Sequence, residues 1–381
     1  MTDARSAGRI RLGIVGAGMI STVEAGFLPG LSRMRDRVEV VAITSRTKAR
    51  AEAVAREWQI PAVFDSLEAM LDGAEIDAVL NLTPIEAHYE VNMRALEAGK
   101  HLVTEKPLAA TLAQANEICA LADRRGLVVL CAPADMLSLE WADARRLVRS
   151  GAVGKVAFAR LQSSHSGPAA MAWPADPTWF YQKGAGPLLD MGVYGIDRIT
   201  GLLGPARRVA AMSGLVAPRR VARGGPFDGR QIDVTEDDNT LLLLDFGDAA
   251  FAMIDATFNV QASLSPELEL FGMAGTLIVN RPGAVRDGGG DGTIELFRTD
   301  AAPGLAGWIT PASLDALPRE NRADRYSRAV LVDHLVDCIA GDARPVTGAD
   351  RARHVLEIML AAKTAAREGR TVELTTRFEL A

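Results

Sequence analysis

A glycine-rich turn near the amino terminus is the first segment whose residues could do chemistry. The sequence Gly-Ala-Gly-Met-Ile-Ser at 16–21 follows an apolar run, Ile10–Val15, and opens a stretch of helical character. Gly16 permits a tight turn and Gly18 lets the backbone approach a pyrophosphate, while the helix start supplies free N–H groups. Ser21 stands where a third glycine is usual, and its small side chain still allows close packing. The turn predicts a dinucleotide site that includes Gly16, Gly18, Met19 and Ile20.

The end of the second apolar run bears on which dinucleotide binds. After Val38–Thr44 the chain continues with Ser45 and Arg46, and neither Asp nor Glu stands at this strand end. An NAD site normally places a carboxylate here for the ribose 2′-hydroxyl, whereas serine and arginine suit a 2′-phosphate. We therefore expect NADP(H) to be preferred. Alternatively, Arg46 stacks on the adenine, and NAD(H) is then also usable.

A lysine follows the fourth apolar run, in the sequence Thr-Glu-Lys-Pro at 104–107. Ligands of open α/β sheets bind beyond the carboxyl ends of the strands, so Lys106 is expected to face the nicotinamide. Partial desolvation lowers the pKa of a lysine and lets it exchange protons near neutral pH. The alternative is an ordinary solvated charge at a strand end.

The segment Gly184–Asp197 combines carboxylates with a phenol. A helix beginning near Pro187 would place Asp190, Tyr194 and Asp197 at positions i, i+4 and i+7, on one face. A polar face on an otherwise apolar helix suggests the lining of a cleft. An exposed amphipathic face is the alternative.

The hydrophobic pattern predicts the framework that positions the first three segments. Short apolar runs alternate with helical stretches over the first third of the chain, at Ile10–Val15, Val38–Thr44, Ala78–Leu82, His101–Thr104 and Leu127–Cys131. Such runs indicate parallel strands buried on both faces, and the alternation predicts a doubly wound α/β sheet. We expect an N-terminal Rossmann domain over residues 1–135. Gly73, Gly99 and Gly126 are predicted left-handed helix ends.

After Pro133 the strands follow one another with few helices between them, which favours a mostly antiparallel sheet. We expect a second α/β domain over residues 136–381, with a large open sheet and two closing helices, Ser327–Ile339 and Asp350–Glu368. Helices on one face of such a sheet often leave the other face to a partner chain. The glycines at 288–292 predict a hairpin turn. The arginines at 219–223 and the acidic run Asp233–Asp238 predict a solvated loop.

Composition excludes several classes of protein. The 381 residues carry a formal charge of −6, which argues against a nucleic-acid or anionic-membrane binder. No apolar run approaches the ~18 residues of a membrane span, and residues 1–9 do not resemble a signal peptide, so a cytoplasmic location is expected. The three cysteines form no CxxC, and no two of the five histidines are at i, i+4 spacing. We therefore expect reduced thiols and no metal site.

Taken together, these motifs resemble the Gfo/Idh/MocA oxidoreductases, the family of glucose–fructose oxidoreductase and inositol 2-dehydrogenase. The resemblance runs from about Ile10 to Gly204 and recurs at Ala343-Arg344-Pro345, although the usual glycine pair is altered to Gly184-Ala185-Gly186. It implies a Rossmann domain followed by an α/β domain whose open sheet builds homodimers or homotetramers. It also implies reversible hydride transfer between a nicotinamide and a sugar or polyol carbon.

The resemblance assigns roles to particular residues. Lys106 corresponds to the acid/base lysine, which often precedes a cis proline, here Pro107, and Asp190 to the aspartate that binds substrate and orients that lysine. Thr83, Pro84 and His88 resemble the loop that borders the nicotinamide, and Glu105 also belongs to the predicted cofactor site. For His88, packing at a helix start is the alternative.

Tyr194 stands where many family members have histidine. Because a free tyrosine has a pKa near 10 against about 6.5 for histidine, we expect Tyr194 to donate from its hydroxyl, with Lys106 lowering its pKa. Aromatic side chains precede this motif and offer flat surfaces suited to sugar faces. The predicted substrate pocket is lined by Lys106, His165, Trp179, Phe180, Asp190, Tyr194 and Asp197. A core or dimer contact is the alternative for the aromatic residues.

The sequence thus predicts an NADP(H)-preferring oxidoreductase that acts on a sugar, a sugar derivative or a cyclic polyol. Lys106 and Tyr194 would handle the hydroxyl proton, while the cofactor carries the hydride. The alternatives are a cofactor-sensing regulatory protein without turnover, an NAD-dependent glycosidase of the same fold, and reduction of a non-sugar carbonyl.

Overall fold

The computed structural model describes residues 9–280, 294–309, 311 and 327–381, so the predicted turn at 288–292 lies outside the described residues. The described chain forms two compact units. Among the described residues, unit 1 comprises 9–138 and 327–356, and unit 2 comprises 139–280, 294–309 and 357–380. The first boundary lies close to the predicted one at residue 135. Residues 327–356, however, return to unit 1, whereas the sequence placed them in the second domain.

Unit 1 begins with alternating strands and helices. In chain order these are β1 (Ile10–Val15), α1 (Met19–Thr22), α2 (Phe27–Leu31), β2 (Val38–Thr44), α3 (Lys48–Trp58), β3 (Ala62–Phe64), α4 (Leu67–Gly73), β4 (Ala78–Asn81), α5 (Ile85–Glu97), β5 (His101–Thr104), α6 (Leu112–Arg125) and β6 (Val129–Cys131). The six strands form one sheet in the order β3-β2-β1-β4-β5-β6, and every pairing is parallel. This is the Rossmann strand order, with its switch point between β1 and β4.

Burial on both faces explains why the strands of unit 1 were recognisable. Leu12, Ile14, Ile43 and Leu80 are fully buried, as expected of strands covered by helices on each side. The short edge strand β3 is only partly buried and was not predicted.

The predicted glycine helix ends are correct at two of three positions. Gly126 caps α6 with φ +63°, and Gly99 follows α5 with φ +72°. Gly73 instead lies inside α4 with helical geometry. A Cβ at this position would be 2.9 Å from the Phe64 ring, so the glycine serves close packing rather than a left-handed turn.

Unit 2 is built mainly of strands. Its elements are α7 (Leu139–Arg149), β7 (Val156–Gln162), α8 (Val193–Leu203), β8 (Arg208–Gly214), β9 (Arg219–Val221), β10 (Gln231–Asp233), β11 (Asn239–Gly247), β12 (Ala250–Thr257), β13 (Leu268–Gly272), β14 (Gly275–Val279), β15 (Ile294–Ala302) and β16 (Leu305–Ile309). Two helices and a strand close the described chain: α9 (Val330–Ala340), α10 (Ala349–Glu368) and β17 (Val372–Glu373). Helix α9 belongs to unit 1, where it packs on β5 and β6.

Nine strands of unit 2 form one sheet in the order β16-β15-β14-β13-β7-β12-β11-β8-β17. Only the β7–β12 pair is parallel, so the predicted mostly antiparallel sheet is confirmed. Helices α7 and α8 pack against the sheet. The other face exposes a group of large apolar side chains, namely Phe158, Met212, Leu241, Leu243, Phe251 and Met253.

The basic cluster and the acidic run after it are not a solvated loop. Arg219–Val221 pairs with Gln231–Asp233 in an antiparallel hairpin. Arg220 donates to the carboxylate of Asp238 at 2.6 Å, and Asp238 is only 1% exposed. The charge pattern alone predicted a solvated loop because it does not reveal that opposite charges pair inside a fold.

Within the described chain, no helix combines the length and apolar character that a bilayer crossing requires.

Candidate active site

The glycine turn of unit 1 has the backbone shape that a dinucleotide requires. Gly16 has φ +115°, and a Cβ there would lie 2.7 Å from the carbonyl oxygen of Leu82. At Gly18, by contrast, a Cβ would meet nothing within 4 Å, so the backbone is open to an approaching group. Ser21 is fully buried and donates to the Gly18 carbonyl at 2.6 Å, which fits its place at the third glycine position.

The helix after this turn is shorter than the sequence indicated. Helix α1 spans only Met19–Thr22, and a second short helix follows from Phe27. A single turn carries little macrodipole, because the dipole of a helix is the sum over many aligned peptides. Anion binding at this position would therefore depend on individual N–H groups of residues 16–20.

The end of β2 presents a cation to solvent. Arg46 is exposed, and no side-chain hydrogen bond or ion pair is recorded for it among the described residues. Lys48, two residues later, is engaged with Asp65 at 2.5 Å, which raises the pKa of the lysine through that hydrogen bond. Arg46 is thus an exposed cation at this strand end, and Ser45 beside it is partly buried.

His88 connects two loops of unit 1. Its ring is buried, with Nδ1 2.6 Å from the Pro107 carbonyl and Nε2 2.8 Å from the Thr83 carbonyl. Both ring nitrogens are therefore engaged by the protein. His88 thereby links the Thr83 loop to Pro107, and its place beside the nicotinamide stays a prediction.

The strand end that carries Lys106 also carries an acceptor suited to a hydroxyl donor. The Lys106–Pro107 peptide is cis, as the family resemblance implied, and Lys106 is half-buried. Glu105 Oε2 accepts from the Lys106 N–H at 3.2 Å. Glu105 Oε1 is buried and has no hydrogen-bond partner in the described part of the chain, but it forms an ion pair with Arg328 Nε at 3.6 Å.

These features of unit 1 fit a bound dinucleotide. The open backbone at Gly18 leaves room for a pyrophosphate, and Glu105 Oε1, which is ion-paired with Arg328 but accepts no hydrogen bond from the described residues, would accept from a ribose hydroxyl. Arg328 near Glu105 is a residue that the sequence did not single out. It reaches this strand end because residues 327–329 pack on the loop after α1, where Arg328 donates to the Ala25 carbonyl.

In unit 2, the predicted helix over Gly184–Asp197 starts with an unusual turn. Leu188–Gly192 is π-helical, and α8 continues from Val193. Such one-turn π segments are rare and occur frequently at functional sites. Asp190 and Tyr194 are half-buried, as pocket residues are, whereas Asp197 is 4% exposed. Asp197 therefore lies beneath the surface that Asp190 and Tyr194 present.

Two glycines of this motif bring the helix onto the sheet. A Cβ at Gly195 would be 2.8 Å from Ile254, and one at Gly192 would be 3.0 Å from Ala256. Ser163 adds a polar contact, because its hydroxyl accepts from the Gly195 N–H at 3.0 Å and donates to the Met191 carbonyl.

A cation that the sequence did not single out lies near Tyr194. The guanidinium of Arg198 is 6.0 Å from the centre of the Tyr194 ring and 5.0 Å from that of Trp141. It also pairs with Glu267 at 3.3 Å. Its position one turn after Tyr194 is the only sequence signal that could have indicated it.

The aromatic segment before the motif is partly core and partly surface. Tyr181 is buried, which raises the pKa of its phenol, and its oxygen accepts from the Ala169 N–H. Trp179 is 42% exposed and packs edge-to-face on Phe180 at 5.1 Å. Trp179 and Phe180 are thus available to a ligand, whereas Tyr181 belongs to the core.

His165 has a defined tautomer. Its Nδ1 accepts from the Gly167 N–H at 2.8 Å, so the proton of the neutral ring is on Nε2. The ring stacks on Phe258 with 5.3 Å between centroids.

Unit 1 therefore groups the predicted cofactor residues along the carboxyl edge of β1, β2, β4 and β5, and unit 2 groups Asp190 and Tyr194 on one helical segment. No cluster of three or more metal-ligating side chains occurs among residues with described positions. A Rossmann sheet with a glycine turn after its first strand is the framework of a dinucleotide-binding protein.

Comparisons with known proteins identify the family. The profile of the Gfo/Idh/MocA oxidoreductase family, NAD-binding Rossmann fold, matches residues 10–132, and that of the family's C-terminal domain matches residues 141–278. A dTDP-3,4-didehydro-2,6-dideoxy-alpha-D-glucose 3-reductase from Streptomyces antibioticus is 31% identical over 277 residues, 72% of this chain and 76% of that protein. The chain belongs to the Gfo/Idh/MocA oxidoreductase family and is an NAD(P)-dependent dehydrogenase.

Two further comparisons extend over nearly the whole chain. The scyllo-inositol 2-dehydrogenase (NAD(+)) of Bacillus subtilis strain 168 is 23% identical over 373 residues, 97% of each protein. The structure of a levoglucosan dehydrogenase in complex with NADH and L-sorbose has a TM-score of 0.81 at 20% identity, and the match covers 97% of this chain and 100% of that one. This structural likeness confirms the fold.

Proposed function

We propose that the protein transfers hydride reversibly between a nicotinamide and a hydroxyl-bearing carbon of a sugar, a sugar derivative or a cyclic polyol. The observation that carries the proposal is the strand end at Glu105-Lys106-Pro107, which combines a half-buried lysine with a buried carboxylate oxygen that accepts no hydrogen bond within the described residues. The names of the relatives support the substrate class, since one acts on a deoxysugar nucleotide and another on an inositol.

In this proposal Lys106 manages the proton. A bound nicotinamide supplies the hydride acceptor or donor. During oxidation the neutral Lys106 amine takes the proton of the reacting hydroxyl, and during reduction the Lys106 ammonium returns a proton to the carbonyl oxygen. Glu105 accepts from the Lys106 backbone N–H and so helps to fix the strand end that presents the amine.

Tyr194 and Asp190 supply the substrate side of the proposed chemistry. The Tyr194 hydroxyl would donate to the reacting oxygen, and the Asp190 carboxylate would accept from a neighbouring substrate hydroxyl. Asp197, being buried, would support the helix rather than touch substrate. His165, with its proton on Nε2, would donate to a hydroxyl or ring oxygen, while Trp179 and Phe180 would pack on a sugar face.

For the cofactor we propose a preference for NADP(H), with NAD(H) also accepted. Arg46 is exposed at the end of β2, Ser45 is beside it, and neither is a carboxylate. A guanidinium and a hydroxyl match the oxygens of a 2′-phosphate.

A screen of sugars and polyols with NADP⁺ and with NAD⁺ tests the proposed activity. We expect turnover of at least one sugar or polyol. In Lys106→Ala the turnover rate should fall by roughly 10²–10⁴-fold, the usual contribution of a general base. The matched control is Lys100→Ala, because Lys100 precedes the opposite end of the same strand. Both variants should bind NADPH as the wild type does.

Two results would contradict the proposal. Unchanged turnover in Lys106→Ala would remove the lysine from the mechanism. Nicotinamide absorbance that survives dialysis, together with no net redox change on any substrate, would instead support the glycosidase alternative.

We also propose that the exposed face of the nine-stranded sheet joins copies of this chain in a homodimer or homotetramer. Phe251, Phe158 and Phe271 lie side by side across β12, β7 and β13, and the guanidinium of Arg160 covers the last two rings at 5.7 and 5.2 Å. Contiguous apolar patches of this kind commonly mark interfaces. The mixture of rings and a paired arginine is typical of interface composition.

Light scattering on a sizing column tests the proposed interface. Leu243→Lys places a charge among these apolar side chains and should reduce the mass to that of one chain. Leu264→Lys is the control, because Leu264 is 97% exposed away from the sheet strands. An unchanged mass in Leu243→Lys would contradict the interface, provided that the wild type is larger than one chain; a monomeric wild type would contradict it outright.

A further inference from the structure

The turn that leads into the Asp190 segment is held by a second stretch of chain, Asp233–Asp238, which we name the acidic strap. Thr235 N–H donates to the Tyr181 carbonyl at 2.9 Å, and the Thr235 hydroxyl accepts from the Lys183 N–H at 3.0 Å. Gln182 Nε2 donates to the Asp233 carbonyl at 2.9 Å. The strap thus runs beside residues 181–184 and hydrogen-bonds to their main chain and side chains.

Glu236 is the member of the strap that reaches the glycine turn. Its Oε2 accepts from the Gly184 N–H at 2.8 Å, and its Oε1 pairs with the Lys363 ammonium at 3.1 Å. Gly186 has φ +79°, and a Cβ there would lie 2.6 Å from Glu236 Cγ. The carboxylate therefore packs on one glycine, bonds a second, and is itself anchored by a cation from α10.

The strap is fixed in turn to the body of unit 2. Asp238 accepts from the Val216 N–H at 2.7 Å and from Arg220 at 2.6 Å, and its carbonyl accepts from the Phe258 N–H. Because Asp238 is 1% exposed, these bonds are protected from water. Glu236 is therefore held by a rigid neighbour as well as by Lys363.

The helical segment is thus fastened at two points, with the π turn between them. Gly184 is fastened by Glu236, and Gly192 and Gly195 are fastened against β12 and Ser163. A π turn holds one residue more than an α turn. If the glycine turn were released, that residue could move out and the turn could tighten to α, which would rotate Asp190 by ~100° about the helix axis.

We propose that Glu236 is a positioning residue for the reaction, which acts through the Gly184–Gly186 turn to keep the Asp190 carboxylate aimed at substrate. This inference rests on the proposed substrate role of Asp190. Glu236 itself touches neither substrate nor cofactor in this account. Its contribution is the geometry of the π turn.

Activity measurements compare three variants with the wild type. Glu236→Ala removes both bonds and should lower kcat/KM for the sugar or polyol about 100-fold, the size of loss that a displacement of ~1 Å causes. Glu236→Gln keeps an oxygen for the Gly184 N–H and should retain most of the activity. Asp237→Ala, which removes the adjacent exposed carboxylate, is the control and should match the wild type. The dissociation constant for NADPH should not change in any of them.

A double mutant separates positioning from general loss of structure. If Glu236 acts through Asp190, then Glu236→Ala added to Asp190→Asn causes no further loss beyond that of Asp190→Asn alone. Multiplying losses would overturn the inference, as would wild-type kcat/KM in Glu236→Ala.

Hydrogen exchange gives a readout independent of turnover. The amides of residues 184–192 should exchange at least tenfold faster in Glu236→Ala than in the wild type, while those of β11 and β12 stay the same. Unchanged exchange at residues 184–192 would overturn the inference whatever the activity. Exchange that is faster in Glu236→Ala, combined with wild-type turnover in Asp190→Asn, would support the hold of Glu236 on the Gly184–Gly186 turn. It would instead contradict the proposed role of Asp190.

Discussion

The proposed cofactor preference depends on a single exposed guanidinium, which makes Arg46→Asp a sharp perturbation. Arg46 stands at the end of β2, and Lys48, the next cation along the chain, is paired with Asp65. Replacing Arg46 with aspartate removes the cation and restores the carboxylate that a ribose 2′-hydroxyl normally meets at this position. The change should therefore weaken the binding of NADP(H) and leave the binding of NAD(H) unchanged or stronger.

The size of the effect follows from the two interactions that change. A hydrogen bond to a charged group contributes about 1.5 kcal/mol at the lower end of its range, which suits an exposed side chain. A new carboxylate ~4 Å from a phosphate adds repulsion of about 1 kcal/mol in water. Together these amount to about 2.5 kcal/mol, or roughly 60-fold in affinity for NADPH. Arg46→Ala, which lacks the repulsion, should lose roughly tenfold.

Fluorescence titration with NADPH and NADH measures both affinities without knowledge of the substrate. The control is Arg56→Asp, the same charge reversal in the last turn of α3. Raising the ionic strength should narrow the difference in NADPH affinity between wild type and Arg46→Ala, because salt screens an exposed pair such as Arg46 and the 2′-phosphate. An NADPH-to-NADH affinity ratio in Arg46→Asp equal to that of the wild type would refute the assignment.

Three further predictions concern stability and are measured by urea unfolding. Ala249→Gly should raise the free energy of unfolding by about 0.5–1 kcal/mol, since Ala249 has φ +61° in the β11–β12 turn; a decrease would contradict this. Arg220→Met leaves the Asp238 carboxylate buried without its cation and should cost about 3–5 kcal/mol, and a loss below 1 kcal/mol would be inconsistent with a buried pair. Burial alone would raise the pKa of Glu357, but hydrogen bonds from Thr375 and Thr376 outweigh it and lower that pKa. The carboxylate therefore stabilises the fold fully above its ordinary pKa of 4.5 and loses this effect as the pH falls through the lowered value, so the cost of Glu357→Gln, about 1–2 kcal/mol at pH 7, should shrink in acid rather than grow.

The sequence specified unit 1 well because its strands are buried on both faces. Helix α6 (Leu112–Arg125) begins with a capping box at Thr111, a start signal that can be recognised in the sequence. Strand β3 was missed because it is short and only partly buried, and therefore lacks a continuous apolar run. The return of residues 327–356 to unit 1 was missed because hydrophobic periodicity identifies a helix without identifying the sheet on which it packs.

At the candidate site, the residue types could be predicted from the sequence, whereas their surroundings could not. Lys106 and the motif around Asp190 were recognisable because their types and spacing match the family. The bond between Glu236 and Gly184 was not, because it joins segments 52 residues apart in the chain. The π turn was not predicted either. The two contacts of the His88 ring with the carbonyls of Pro107 and Thr83 could not be predicted either, because they join separate loops.

The return of the chain to unit 1 has a consequence for biosynthesis. The Cys131 N–H donates to the Thr347 carbonyl at 2.9 Å, and Leu331 and Leu335 of α9 are fully buried in the core that contains β1 and β2. Part of the apolar surface of the nascent Rossmann sheet therefore stays uncovered until unit 2 and then α9 have been translated. At ~5–20 residues per second this interval is on the order of ten seconds or more, during which the uncovered apolar surface is accessible to a chaperone.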